Sequence, residues 1–540
     1  MIEYFNLYSE SSTLTKSIIC LFAIIVGFQL SRFYNIRNKF LQFSLIIFFV
    51  VIYYVIIYFL TAIDIKTYCF IYVFPAFCYS LLFYILYKLY NSYIEKRREP
   101  LDIDIPFING KKVRVDLVKG LSTQGAAGSG KTLSIGGWIL KAMGKRNVGG
   151  LLYDYKDMEL VEMANYFYKD SEIPIHVFAP YEPQKSIQYN PISVEILKTH
   201  EDIKLMSKCI LDNLVGESQG NNKFFNDAAE GAITGVIYSL KEFYPEYCSF
   251  TYLSAIFLSK DVEELVCFIE KSSMGSIHAR AFLDSQDSER QMAAIKANLS
   301  NAFSVFSNPN IFYTLSKNSV DFSINESHNK SLLCVVNKPM YDKIYSPILS
   351  VVVQSIIMKM SARNREPSYI FLDEAPTIKI NRIGKVPATM RSFKVATIYM
   401  LQDTIQATIQ MGKDKMKEIF ANLSTIVFGK TNDPDTAKHF EAYFEEKSKT
   451  QKSISFKAGV FGSSDKRTSV SERDEKTHKS YEMFKRDTGE FFIFDAKGKS
   501  HDGRIVKIDY EPLEVKPINT ISEMELEDFY KNVINTVKKL

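Results

Sequence analysis

Gly125-Ala126-Ala127-Gly128-Ser129-Gly130-Lys131-Thr132 fits the pattern G-x-x-x-x-G-K-[ST], in which a backbone loop closes around a phosphate chain. Each residue type in it has a physical reason. Three glycines let main-chain N–H groups approach an anion with no Cβ in the way. The Lys131 ammonium can reach terminal phosphates, and the Thr132 hydroxyl has the length to ligand Mg²⁺. A helix predicted from about Thr132 to Met143 would turn its positive N-terminal end towards the same anion. An apolar stretch with strand character, Val113 to Leu121, precedes the loop. The eight residues are thus expected to hold ATP, with Thr132 on the Mg²⁺.

Further along, Tyr369-Ile370-Phe371-Leu372-Asp373-Glu374 reads as an apolar strand ending in two carboxylates. In P-loop NTPases such a strand is expected beside the loop, with Asp373 in the Mg²⁺ sphere and Glu374 polarising the attacking water. The Asp-Glu pair points to a hydrolysing motor rather than a kinase or a simple switch.

The 540 residues allow two or three domains, and 46% apolar residues suffice for membrane spans plus a globular core. The net charge of +5, from 66 basic and 61 acidic residues, is too mild to argue for nucleic-acid binding. The abundance of Ile, Asn, Lys and Tyr suggests a coding bias as much as a function, so aromatic content alone does not indicate base-stacking platforms. The seven cysteines form no C-x-x-C pair, so neither a zinc site nor a disulfide framework is indicated.

The first 94 residues are membrane-like. Phe40–Ala62 is apolar, uncharged and long enough to span, and Tyr68–Leu89 is a second such run until Lys88. Leu14–Leu30 is shorter, which leaves two or three spans open. Arg32, Arg37 and Lys39 lie before the Phe40–Ala62 run, and Lys96, Arg97 and Arg98 follow the last one. Positive-inside bias puts these clusters, and the phosphate loop, in the cytoplasm. The expected location is an inner (cytoplasmic) membrane, multi-pass.

The remaining chain reads as α/β. Residues 95–189 and 311–515 carry the strand signals: Leu151–Asp157, Ile175–Phe178, Ser331–Asn337, Lys394–Gln402, Thr425–Gly429, Phe491–Phe494 and Ile505–Ile508. Between them, residues 190–310 show helical periodicity instead, in Glu201–Leu214, Phe225–Phe243, Asp261–Lys271 and Ser288–Phe306. An apolar helix is expected from Pro347 to about Ala362. Glu445–Arg486 is polar and reads as a mobile loop or hairpin, and 516–540 as a helical tail. Asp154 and Lys156 end a strand; they either approach nucleotide or a neighbouring subunit, or sit at a solvated strand end.

Taken in order, these features resemble the type IV secretion coupling proteins, the TraG/TraD-like membrane-anchored ATPases related to the FtsK/HerA pumps. The constellation comprises the N-terminal spans, Gly125–Thr132, Asp154-x-Lys156, Tyr189-Asn190-Pro191, Leu372-Asp373-Glu374-Ala375-Pro376-Thr377, and Arg391-Ser392-Phe393-Lys394-Val395-Ala396 leading to Gln402. Asn422 to Ala437 follows in the family's manner. The resemblance implies a RecA-like motor with an inserted all-α domain, assembled as a homo-hexamer at the inner membrane. It implies catalytic roles for Lys131 and Glu374, a sensor-like role for Gln402, and a neighbour-serving arginine at Arg391. The implied partners are secretion-channel components and a relaxase carrying single-stranded DNA. The short Ile63–Thr67 turn departs from the family's sizeable periplasmic loop, and no long acidic C-terminal extension is present. A motor recruiting only protein effectors, or a membrane-anchored DNA pump outside a secretion system, fits the same residues.

Overall fold

The structure, a computed structural model, describes residues 82, 84–86, 88–89, 99–216, 223–287, 289–444, 446–458 and 464–540. The first two predicted membrane segments, and most of Tyr68–Leu89, lie outside these. Among the described residues one helical stretch, Pro339–Met360, is long and apolar enough to cross a membrane. Its regular part, Asp342–Met360, is a core helix packed on the His200–Leu214 helix and on the central sheet.

That sheet is built from β3 (Leu121–Gln124), β4 (Gly150–Asp154), β5 (Ile175–Phe178), β6 (Leu332–Val336), β7 (Ser368–Leu372), β8 (Val395–Leu401) and β9 (Thr425–Phe428). These seven run parallel in the order β9-β3-β8-β7-β4-β6-β5. Most of them are apolar runs buried end to end, as parallel strands covered on two faces require. A hairpin, β12 (Glu490–Phe494) and β13 (Ser500–Arg504), adds antiparallel strands beyond β9. Close packing in the sheet depends on one glycine in particular. A Cβ on Gly150 would come within 2.2 Å of the Tyr369 carbonyl oxygen, so β4 can pair with β7 there only without a side chain.

A separate hairpin, β1 (Asp102–Pro106) with β2 (Lys112–Asp116), precedes the sheet and buries alternate residues. Here the predicted strand Val113–Leu121 is corrected: it is split in two. Asp116 accepts a hydrogen bond from Val118 N at 3.1 Å and caps a 3₁₀ turn, Leu117–Lys119, so β3 begins only at Leu121. The strand predicted at Ile505–Ile508 also moves, to β13. The alternation that pairs with β12 ends at Arg504, and Ile505 keeps a single bridge to Phe107.

Between β5 and β6 the described chain is helical. Its long members are His200–Leu214, Lys223–Phe243 and Glu289–Ser304. Thr199 starts the first of these, and Asp261 a shorter helix, Val262–Glu270, through reciprocal side-chain and backbone hydrogen bonds. The last helix, Glu523–Val537, returns to this layer, where Tyr530 packs on Phe312 with ring centroids 4.8 Å apart. The polar segment after Phe444 pairs β10 (Glu446–Ala458) with β11 (Ser464–Lys476) over their whole length.

Candidate nucleotide site

Because β3, β8, β7 and β4 are parallel and adjacent, their C-terminal ends share one edge of the sheet. Four sequence features meet there: the Gly125–Thr132 loop after β3, Gln402 after β8, Asp373-Glu374 after β7, and Asp154 closing β4. The carboxylate strand β7 ends beside the loop, with Lys131 Nζ 3.8 Å from Glu374 Oε1. Within the sheet β8 stands between β7 and β3, and Gln402 therefore sits at the edge between loop and carboxylates.

The loop is fixed through its main chain. Gly125 N donates to Gln402 O at 3.1 Å, and Ala126 N donates to Lys430 O at 2.7 Å. Gly128 and Gly130 take φ of +77° and +91°, where a side chain would be strained. From far along the chain, Thr488 Oγ1 donates to Gly128 O at 3.0 Å and Gly489 N to Ser129 O at 2.9 Å. The helix predicted from Thr132 begins instead as a π turn over Thr132–Gly136, and the regular α-helix runs Gly137–Lys145. Such turns widen a helix by one residue and recur at functional sites.

Lys131 bridges the two motifs. Its Nζ donates to Gly125 O and lies 3.8 Å from Glu374 Oε1, with the two side chains buried to 6% and 2% exposure. Burial pulls the ammonium below the ordinary lysine pKa, against the attraction of Glu374 and Asp373. Burial pushes the Asp373 carboxyl up to about 7; Lys156 opposes this, while Glu374 and Asp154 add to it. For Lys156 burial acts downward, yet Asp373, Glu159 and Glu374 outweigh it and hold the lysine above its ordinary value. Asp373 Oδ2, Glu374 Oε2 and Ser129 Oγ are buried with no hydrogen-bond partner. Buried polar atoms without partners are costly to a fold unless a ligand uses them.

Glu374 itself is held in the left-handed region, at φ +44° and ψ 49°. A non-glycine residue rarely adopts this conformation, which stores strain of about 1–3 kcal/mol. A chain of hydrogen bonds braces it. Thr377 Oγ1 donates to Glu374 O at 2.8 Å, the Tyr153 hydroxyl meets Thr377 Oγ1 at 2.9 Å, and Asn337 Nδ2 donates to the Tyr153 oxygen at 2.9 Å. The sequence reading missed Tyr153 and Asn337 as contributors. A tyrosine in an otherwise aliphatic strand and an asparagine at a strand end were the available signals.

Asp154 is not at a solvated strand end. It is fully buried and turned inward, where its oxygens accept from Lys156 N at 2.9 Å, Leu160 N at 2.8 Å and Val161 N at 3.0 Å. It thereby satisfies the first turn of the Glu159–Tyr168 helix. Arg391 lies elsewhere. It is exposed at the end of the Val386–Arg391 helix, which precedes β8. That is the opposite edge of the sheet, roughly 20 Å of strand away from its own phosphate loop.

The residues fit a Mg²⁺–nucleotide. The glycines at positive φ form a cradle a side chain would fill, and the unpartnered buried oxygens of Asp373 and Glu374 face the same edge as Lys131 and Thr132. A family model described as type IV secretory system conjugative DNA transfer matches residues 106–479. The bacterial conjugative coupling protein TrwBdeltaN70, in its unbound form, is similar at 13% identity and a TM-score of 0.62, over 79% of this chain and 92% of that one. Plasmid coupling protein TrwB in complex with the ATP analogue ADPNP, and with ADP and Mg²⁺, is similar at 13% identity and a TM-score of 0.58, over 75% of this chain and 89% of TrwB. At such identity the likeness is one of fold, an α/β fold shared with TrwB. No curated protein matches.

Proposed function

Because this chain belongs to the conjugative DNA transfer family of type IV secretory systems, we propose that it hydrolyses ATP to drive single-stranded DNA, with its attached relaxase, into a secretion channel. The observation that carries the reading is the buried pairing of Lys131 with a strained Glu374, next to an unpartnered Asp373 oxygen. In this reading the loop amides and Lys131 hold the phosphates. Thr132 and Asp373 ligand Mg²⁺, whose chemistry is to neutralise charge on the transferred phosphoryl group. Glu374 orients and polarises the attacking water, and Gln402 senses the terminal phosphate from between loop and carboxylate.

The placement of Arg391 supports assembly. It cannot reach its own site, so a catalytic role requires a neighbour, as in a homo-hexameric ring. The anchor would be the apolar N-terminal segments in the inner membrane, with the motor in the cytoplasm; a reporter fused after Arg98 that reads external would contradict this orientation.

The test is hydrolysis by purified full-length protein. Lys131→Ala should lose nucleotide affinity, whereas Glu374→Gln should bind nucleotide and turn over about 10²–10⁴-fold more slowly. Arg391→Ala should bind ATP and hydrolyse poorly, and adding Lys131→Ala subunits, which keep Arg391, should partly restore activity. Ordinary rates from Glu374→Gln would remove the assignment. Co-assembly without restoration would remove Arg391 from the mechanism.

A further inference from the structure

The turn that carries Glu374 runs directly into a cationic loop, and we infer that Lys379, Arg382 and Lys385 on this loop hold the phosphate backbone of single-stranded nucleic acid. The inference rests on the DNA-motor reading and gives it a site.

The loop is ordered by its apolar residues. Ile378, Ile380, Ile383 and Val386 are buried, which leaves Lys379, Arg382 and Lys385 exposed at every third position. Its backbone is pinned at three points. Lys379 N donates to Ser350 Oγ at 3.0 Å, Asn381 N to Gln354 Oε1 at 2.9 Å, and Asn422 Nδ2 to Gly384 O at 2.8 Å. Arg382 adopts φ +58°, a conformation that a non-glycine residue rarely takes and that marks functional sites when the surroundings enforce it. Here they do: Lys385 N donates to Arg382 O at 2.8 Å and closes the turn.

The three cations line one cavity of about 610 Å³, together with Lys415. The cavity's other lysine, Lys208, is balanced by Asp212 at 2.8 Å. Among the described residues Lys379, Arg382 and Lys385 have no ion-pair partner, so Glu418 is the principal acidic group left to offset them. A small phosphate is a poor occupant, because sites for such ligands converge a few enclosed polar groups. Three exposed cations spaced along a rigid loop suit a polyanion that touches each in turn. The location couples binding to chemistry: three residues separate Glu374 from Ile378, so movement of the carboxylate turn is transmitted to the loop through a short, hydrogen-bonded 3₁₀ segment.

The experiment is anisotropy of a fluorescein-labelled oligothymidylate with the full-length chain across a salt series. The triple variant Lys379→Gln/Arg382→Gln/Lys385→Gln should bind about tenfold or more weakly at physiological salt. The slope of log affinity against log salt should fall by about 2, since each single-strand phosphate contact contributes about 0.7. Its binding of an ATP analogue should be unchanged, which shows that it is folded. A control triple at exposed lysines elsewhere, Lys141→Gln/Lys169→Gln/Lys438→Gln, should leave the slope alone. If the wild type binds DNA and the loop variant binds it with the same affinity and slope, the loop assignment falls while the motor reading stands. If the wild type binds no DNA, the two fall together. If polyglutamate displaces the DNA at equal charge concentration, the loop is a docking site for an acidic protein and the nucleic-acid assignment is overturned.

Discussion

β4 and β7 are adjacent parallel strands, and each delivers a buried carboxylate to the same edge: Asp154 and Asp373. Burial raises both, to about 6 and about 7. They differ in what answers the charge. Asp154 accepts from three backbone N–H groups of the chain that follows it, so its oxygens are consumed by the fold. Asp373 keeps Oδ2 buried without a partner and is followed by a residue in left-handed conformation. Equal burial thus separates into a helix cap on one strand and a carboxylate with a free buried oxygen on the next. Hydrogen-bond accounting, rather than pKa direction, tells them apart.

The largest expected effect comes from erasing the second kind of carboxylate. Asp373→Asn should lower Mg²⁺-supported ATP turnover by about 10²-fold or more, since a metal ion supplies several kcal/mol of charge stabilisation and a factor of ten is 1.36 kcal/mol. Its melting temperature should hold or rise, because the fold disfavours the charge that is removed. Metal binding requires the carboxylate form. With the carboxyl raised to about 7, Mg²⁺–nucleotide affinity in the native protein should weaken as pH falls below 7, and Asp373→Asn should lose that dependence. Calorimetric titration at pH 6 and 8 checks this; a pH dependence that persists in the variant would break the assignment.

Asp154→Ala should do the opposite. Stranding helix N–H groups should cost about 1–3 kcal/mol of stability, read as an earlier urea midpoint, while turnover by folded molecules falls less than tenfold. A turnover loss as deep as that of Asp373→Asn, with no loss of stability, would make Asp154 a second functional carboxylate.

The smallest effect sharpens the comparison further. Thr377→Val removes the hydroxyl that braces Glu374 but touches neither carboxylate. We expect kcat to fall by about tenfold, equivalent to 1.36 kcal/mol, with KM for ATP unchanged, and Thr377→Ser to recover most of it. A change confined to KM would place the brace in nucleotide binding instead.

Much of this was legible because it is local. The phosphate loop, the apolar strand into Asp373-Glu374 and the strand into Gln402 are contiguous runs whose chemistry is written in order. The helices capped by Thr199, Asp261 and Ser522 carry their start signals in three or four residues. What could not be read is lateral. Nothing in the run Ser368–Leu372 says that β8 intervenes before β3, because strand order is set by crossovers rather than by strand composition. Whether Asp154 approached nucleotide or a neighbour, or ended in solvent, stayed open because the amides it accepts from belong to a turn that comes later in the chain. The 3₁₀ turn at Leu117–Lys119 hid inside a stretch of strand character because the side chain of Asp116, as its cap, ends the alternation there. The cationic loop was overlooked for a related reason: a lysine or arginine at every third position, between buried isoleucines, looks dispersed until the buried positions are known.

One topological detail bears on how the molecule comes into being. β3 is flanked by β8 and β9, and its phosphate loop is tied to Thr488 and Gly489, some 360 residues downstream. During synthesis, at about 5–20 residues per second, β3 emerges and then waits roughly a minute or less for the neighbours that complete it. Through that interval its edges are open to pairing with other chains, a hazard for slow, non-local sheets. A chain halted before Thr488 lacks two of the hydrogen bonds that fix its Gly125–Thr132 loop, so the support of that loop is complete only when Thr488 and Gly489 have been made.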